Sequence, residues 1–163
     1  MPSFIGWVPT PMACIEAFFE LAPVYETDTV YDLGAGDGRL LIAAAERGGG
    51  RMVGIDIDPQ RIEEAMAIVK ERGLENKISF LESDVMDADL SPASVIFCYL
   101  FPTASAALKP KFEKELKPGT RVVIESFSIN GWEPERTIER TGKWFYLYYM
   151  PPKPAALLLH GMV

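Results

Sequence analysis

Histidine and cysteine are almost absent from this sequence: one histidine and two cysteines occur in 163 residues. The cysteines, Cys14 and Cys98, lie far apart in apolar surroundings and form no C-x-x-C pair. A zinc site or a disulfide framework is therefore not expected. Long apolar runs are missing too, since none approaches the roughly 20 residues of a membrane-spanning helix. Pro2, Pro9, Pro11 and Glu16 interrupt the amino-terminal stretch, which lacks the basic-then-apolar pattern of a signal peptide. The expected compartment is the cytoplasm. Positive charge is scarce, with Lys+Arg 16 against Asp+Glu 23 and a net charge of -7. Such a surface repels phosphate backbones, which argues against DNA or RNA as a partner and suits a cationic one. Solubility alone is the plainer reading of the acidity.

What is present is an ordinary globular balance, 48% hydrophobic and 24% charged. The length suits one domain with one core over residues 1–163. No linker, repeat or low-complexity segment divides it. Thr10 followed by Pro11 predicts a helix start, cap then first helical position. The helix carries Ile15, Phe18, Phe19 and Ala22 on one face. Strands are expected over 29–33, 51–56, 77–81, 94–100 and 121–127, and further helices over 37–47, 59–72 and 104–116. This alternation argues for a parallel sheet with right-handed crossovers. The end differs. Asn130, Gly131 and Pro134 leave no room for a helix, and 136–140 and 143–150 form two strands joined at Thr141-Gly142. The prediction is an α/β fold, an open parallel sheet closed by an antiparallel hairpin. The segment 151–163 reads as a docked tail or a dimer contact.

The first strand runs into Asp32-Leu33-Gly34-Ala35-Gly36-Asp37-Gly38-Arg39. Glycines at 34, 36 and 38 let a ligand lie against the main chain, and the following helix offers free N–H groups. A dinucleotide fingerprint reads G-x-G-x-x-G, whereas here the third glycine comes one residue early and Arg39 stands in its place. Asp32 and Asp37 would repel a pyrophosphate but attract the ammonium of an amino-acid ligand. Taken alone, the loop is also compatible with a tight packing turn. Asp56 ends the second strand, where a carboxylate can accept both hydroxyls of a ribose. Asp58 is better placed to cap the next helix. Asp84, before Val85, follows the third strand, where it can take an adenine amino group. Three carboxylates at three successive strand ends, around one glycine loop, make a joint signal stronger than any part.

These residues resemble class I S-adenosylmethionine-dependent methyltransferases, from Val8 to about Tyr149. The resemblance is closest to small archaeal and bacterial protein-lysine methyltransferases, related to the eukaryotic enzymes that methylate lysine in the ATP synthase ring protein and in nucleotide translocase. It is carried by Val8-Pro9-Thr10-Pro11, by Tyr31-Asp32-Leu33-Gly34 with Gly36-Asp37-Gly38-Arg39, by Leu116-Lys117-Pro118-Gly119-Thr120, and by Gly131-Trp132-Glu133-Pro134. It implies a seven-stranded Rossmann-like sheet, mostly parallel, with helices on both faces. It implies that Asp32 and the loop (Gly34, Ala35, Gly36, Asp37, Gly38) hold the methionine part of the cofactor, with Thr10 over that end. It places the ribose on Asp56 beside Ile57, and the adenine on Asp84 and Val85. The chain departs from the group at Trp7, at Tyr99-Leu100-Phe101-Pro102, and at Ile124-Glu125-Ser126, where the carboxylate is shifted by one position.

The function implied is methyl transfer from S-adenosyl-L-methionine to a protein lysine, leaving S-adenosyl-L-homocysteine. A lysine acceptor must first lose a proton, and its ordinary pKa of about 10.4 makes desolvation useful. No dedicated base is needed. Tyr99 is the candidate for lining the cofactor and acceptor channel, and Glu125 or Ser126 for orienting the amine. The competing readings are a core tyrosine and a surface carboxylate. Trp132 is expected to pack in its turn. The alternatives are a small-molecule methyltransferase, though no inserted lid is present, and a non-enzymatic cofactor-binding module. Nucleic-acid amine methylation fits worse, since Cys98-Tyr99-Leu100-Phe101-Pro102 is not the Asn/Asp-Pro-Pro-aromatic motif. The expected partner is a protein with an exposed lysine, with no nucleic acid and no membrane span.

Overall fold

The structure is a computed structural model that describes residues 10–99 and 102–156. The Val8-Pro9 part of the lead-in motif, Trp7, Leu100, Phe101 and the end of the tail lie outside the described residues. Among the described residues, four helices and nine strands follow in the order α1 (Met12–Leu21), β1 (Thr29–Leu33), α2 (Arg39–Glu46), β2 (Arg51–Asp56), α3 (Pro59–Glu71), β3 (Ile78–Glu82), β4 (Val95–Cys98), α4 (Pro102–Glu115), β5 (Arg121–Glu125), β6 (Trp132–Glu133), β7 (Arg136–Arg140), β8 (Lys143–Tyr149) and β9 (Lys153–Pro154). Seven strands form one sheet in the order β3-β2-β1-β4-β5-β8-β7. The first five are parallel, and β8 enters antiparallel beside β5 with β7 at the edge. β6 and β9 pair separately.

The sheet has an apolar layer on each face. Strand side chains alternate, so Val30, Val95, Phe97 and Val123 face one core, while Tyr31, Leu33, Ile96, Val122 and Ile124 face the other. Helices α1 to α3 cover the first face. Phe18 of α1 meets Phe97 and Phe145 edge-on at 5.1 and 5.3 Å. Helix α4 covers the second with Leu108, Phe112 and Leu116. Trp132 packs there as its turn implied, against Tyr148 at 5.5 Å, and its indole N–H donates to Glu113.

Several boundaries move, each for a local reason. The N-cap of α1 is Pro11, with no side-chain cap hydrogen bond, so Thr10 is not the cap that the sequence suggested. α2 starts at Arg39 because Gly38 has φ 77, a left-handed conformation outside the helix. β5 ends at Glu125 because Ser126 turns to φ 70. Asp58 does cap α3, accepting from the Gln60 N–H at 2.9 Å.

At the amino-terminal ends of the strands, the buried Asp28 carboxylate accepts from the Tyr25 N–H, the Ser94 hydroxyl and the Arg121 guanidinium at 2.7–2.8 Å. Burial raises its pKa, but these donors outweigh that and hold it below the ordinary value of 3.8. The network ties α1's exit loop to β4 and β5. It fixes the sheet from the end opposite the glycine loop.

Candidate active site

The carboxyl ends of β1, β2, β4 and β5 meet at one edge, where ligands bind in open α/β sheets. β1 delivers Asp32 and then the loop. The Gly34 and Ala35 N–H groups both donate to the Ile55 carbonyl, at 2.8 and 3.0 Å, which lays the loop onto β2. Gly54 makes that approach possible, since a Cβ there would stand 2.8 Å from the Ala35 Cβ and 2.7 Å from the Phe80 ring. A Cβ on Gly38 would likewise stand 2.9 Å from Phe80. Close approach of backbone, with room kept for a ligand above it, is the geometry that the three glycines supply.

Asp56 lies beneath the loop. Its Oδ2 accepts from the Gly36 N–H at 3.0 Å, and its Oδ1 accepts from the Asp58 N–H at 2.9 Å. Arg61 covers it, donating to Oδ1 at 2.9 and 3.3 Å. The carboxylate is thus a brace for the loop as well as a strand-end acid. Asp37 differs from its expected role as a free carboxylate flanking the loop. Arg39, at the place where a dinucleotide loop has its third glycine, takes its charge through contacts of 2.6–3.1 Å. The same guanidinium reaches the Thr10 carbonyl at 3.4 Å, which brings the lead-in segment beside the loop.

Asp32 is the unusual group. It is 4% exposed, and no described residue donates a hydrogen bond to it. Burial, with smaller contributions from Asp56 and Asp37, pushes its pKa up to about 8. A buried carboxyl with no donor, beside a loop shaped for close approach, fits a ligand that brings its own ammonium. The same burial, with Asp32 next to it, pushes the Cys98 thiol well above its ordinary value, so that thiol is inert.

On the adenine side, Ile57 is 65% exposed and Val85 half-buried, flanking the ends of β2 and β3. Asp84 is exposed and its Oδ1 accepts from the Met86 N–H at 2.9 Å. The Ser83 N–H bonds the Asp56 carbonyl at 3.0 Å and holds the two strand ends together.

Asp32, Phe97 and Val123 are register partners across β1, β4 and β5. Two residues further on, Tyr99 and Glu125 fall on that same face, the α1 side. Glu125 is 4% exposed, not a surface charge, and its carboxylate pairs with the Ser126 hydroxyl. Burial raises its pKa, with Lys143 opposing. The Lys143 ammonium donates to the Tyr99 hydroxyl at 2.5 Å and lies 5.0 Å from the Tyr99 ring centroid. Nothing in the sequence marked Lys143 or Arg39, because their partners are set by the fold. Among the described residues no group of three or more His, Cys, Asp or Glu is placed to hold a metal, and no helix is long and apolar enough to cross a membrane.

Comparison with known proteins agrees with this geometry. The model of the ANTKMT methyltransferase domain matches residues 32–136. A protein-lysine N-methyltransferase from Saccharolobus islandicus is 41% identical over 136 residues, covering 83% of this chain and 84% of that protein. A lysine N-methyltransferase from Rattus norvegicus, named for the ATP synthase ring protein that it modifies, is 30% identical, covering 65% of this chain and 49% of that protein. The crystal structure of an RNA methyltransferase from Salinibacter ruber, in complex with S-adenosyl-L-homocysteine, superposes with a TM-score of 0.86 at 41% identity, over 90% of this chain and 95% of that one. The chain therefore belongs to the ANTKMT methyltransferase domain family and is an S-adenosylmethionine-dependent methyltransferase.

Proposed function

We propose that this enzyme is cytoplasmic and that its acceptor is the side-chain amine of a protein lysine. The observation that carries this is the Tyr99–Glu125 corner, which already holds a lysine ammonium at 2.5 Å from the Tyr99 hydroxyl. A phenol oxygen, an aromatic face and a buried carboxylate suit an incoming lysine Nζ in the same way. The likeness to the Saccharolobus islandicus protein over most of both chains supports it.

In this reading the cofactor, when bound, supplies a methyl group activated on a sulfonium. Asp32 and the backbone of Gly34, Ala35, Gly36 and Gly38 bind the methionine end, with Thr10 above it. Asp56 takes the ribose through its less loaded Oδ2, with the Arg61 side chain moving aside. Ile57 and Val85 sandwich the adenine, and Asp84 accepts from its amino group. Tyr99 borders both the cofactor and the acceptor channel, and Glu125 orients the amine. Desolvation and the nearby sulfonium charge favour the neutral amine, so no dedicated base is assigned.

An RNA acceptor is the competing reading, because the Salinibacter ruber structure carries that name. The net charge of -7 opposes it. So does the lack of an Asn/Asp-Pro-Pro-aromatic motif after β4. The deciding experiment incubates the enzyme with methyl-labelled cofactor and a cell lysate, then separates protein from RNA. Label recovered as methyl-lysine is expected. Label confined to RNA refutes the lysine assignment.

A further inference from the structure

We propose that Lys143 is itself a methyl acceptor, modified in cis by the chain that carries it. This rests on the reading of the Tyr99–Glu125 corner as the acceptor site. Lys143 opens β8 just after the hairpin turn, and its side chain runs back toward the end of β4. It comes from a point 44 residues away in sequence to donate to the Tyr99 hydroxyl at 2.5 Å. It also lies 5.0 Å from the Tyr99 ring centroid. The groups that face the ammonium are Tyr99, Glu125 and Cys14. Its amine thus stands on the side chains assigned to receive a substrate lysine, on the same sheet face as Asp32.

The chemistry balances with the cofactor as the only co-reactant. The Lys143 ammonium releases one proton to water. Its Nζ lone pair then forms the bond to the methyl carbon while the carbon–sulfur bond breaks. That electron pair stays on sulfur, giving the neutral thioether of S-adenosyl-L-homocysteine, and Lys143 gains a methyl group and a positive charge. Tethering replaces a bimolecular encounter, so the reaction is first order in the chain. Tyr99 accepting from the ammonium opposes the proton loss, so self-methylation speeds up as pH rises.

The test incubates the purified chain with deuteromethyl-labelled cofactor, alone and with a synthetic peptide containing one lysine. Peptide mapping by mass spectrometry is expected to find deuteromethyl at Lys143 before any other lysine of the chain, at a fractional rate unchanged on dilution. Lys143→Arg is expected to lose that label, with its thermal unfolding midpoint as the check on folding. A second readout needs no turnover. Bound S-adenosyl-L-homocysteine is expected to shield Lys143, but not Lys70, from an amine-acylating reagent. Label on the peptide with none on Lys143 overturns the inference and leaves the lysine reading standing. No label on either overturns both. A Lys143 label whose fractional rate falls on dilution shows reaction between chains and overturns modification in cis, as does unchanged acylation with the product bound.

Discussion

Cofactor binding is expected to be coupled to a proton at Asp32. In the ligand-free chain this carboxyl has a pKa of about 8, so it is mostly neutral at pH 7. A methionine ammonium placed against it favours the ionised form, and the proton must leave. With the ligand-free pKa at about 8, roughly nine-tenths of a proton leaves Asp32 per ligand bound at pH 7. The free ligand's own α-amine has a pKa of about 7.7–8.0 and takes up a small fraction in return. Net release is therefore about 0.8 proton at pH 7, near zero at pH 8, and an uptake of similar size at pH 9. Affinity is greatest near pH 8 and falls about tenfold per unit well below it. Titration calorimetry with S-adenosyl-L-homocysteine, in buffers of different ionisation enthalpy, reads the proton count. A binding enthalpy independent of buffer at pH 7, with a flat affinity from pH 6 to 8, refutes the ammonium–Asp32 pairing. Stability gives a second arm. Asp32 has a raised pKa in the folded chain, so it destabilises the ligand-free protein increasingly as pH rises from 3.8 to about 8. Wild type minus Asp32→Asn should show a slope of about -1.4 kcal/mol per pH unit across that window, by denaturant titration.

Asp56→Ala removes the brace from the Gly36 N–H as well as a ribose acceptor, and should weaken product binding about 10- to 100-fold, from the loss of roughly 1.5–3 kcal/mol; unchanged affinity by calorimetry removes Asp56 from the ribose site. Gly54→Ala sets a methyl 2.8 Å from the Ala35 Cβ. It should cost about 1–3 kcal/mol of stability and also weaken cofactor binding, both read by thermal melts with and without product. Asp28→Ala leaves Arg121 unpaired at the far end of the sheet and should cost about 3 kcal/mol in denaturant titration, with no direct effect on product affinity. Because the Asp28 pKa is lowered from 3.8, its stabilisation is present above that value and is lost as pH falls through the folded value. Tyr99→Phe should lower the rate of methyl transfer more than tight binding of the product, measured by single-turnover kinetics beside calorimetry; equal rates at saturating cofactor place the Tyr99 hydroxyl outside the acceptor channel.

What the sequence made legible was local. β1, β2 and β7 fall on the expected residues, because alternating β-rich runs end at glycine, aspartate or a tight turn. The strand-end carboxylates Asp32 and Asp56 could be found because a β–α–β repeat puts them at the same edge whatever the rest of the chain does. The hidden parts depend on contacts between distant residues. Asp28 meets Arg121 across 93 positions, and Lys143 meets Tyr99 across 44. No periodicity reports such pairs. Composition also misled at Asp37, whose charge counted toward an amine site until Arg39 took it up. That exchange sharpens the chemistry. With Asp37 neutralised by Arg39 and Asp56 bonded to Gly36, Asp58 and Arg61, Asp32 is the carboxyl of this edge with no described donor. A loop flanked by three free acids would attract any cation. One buried, protonated acid under a glycine loop responds instead to a ligand whose ammonium can displace its proton, which is why the proton count separates specific recognition from general acidity.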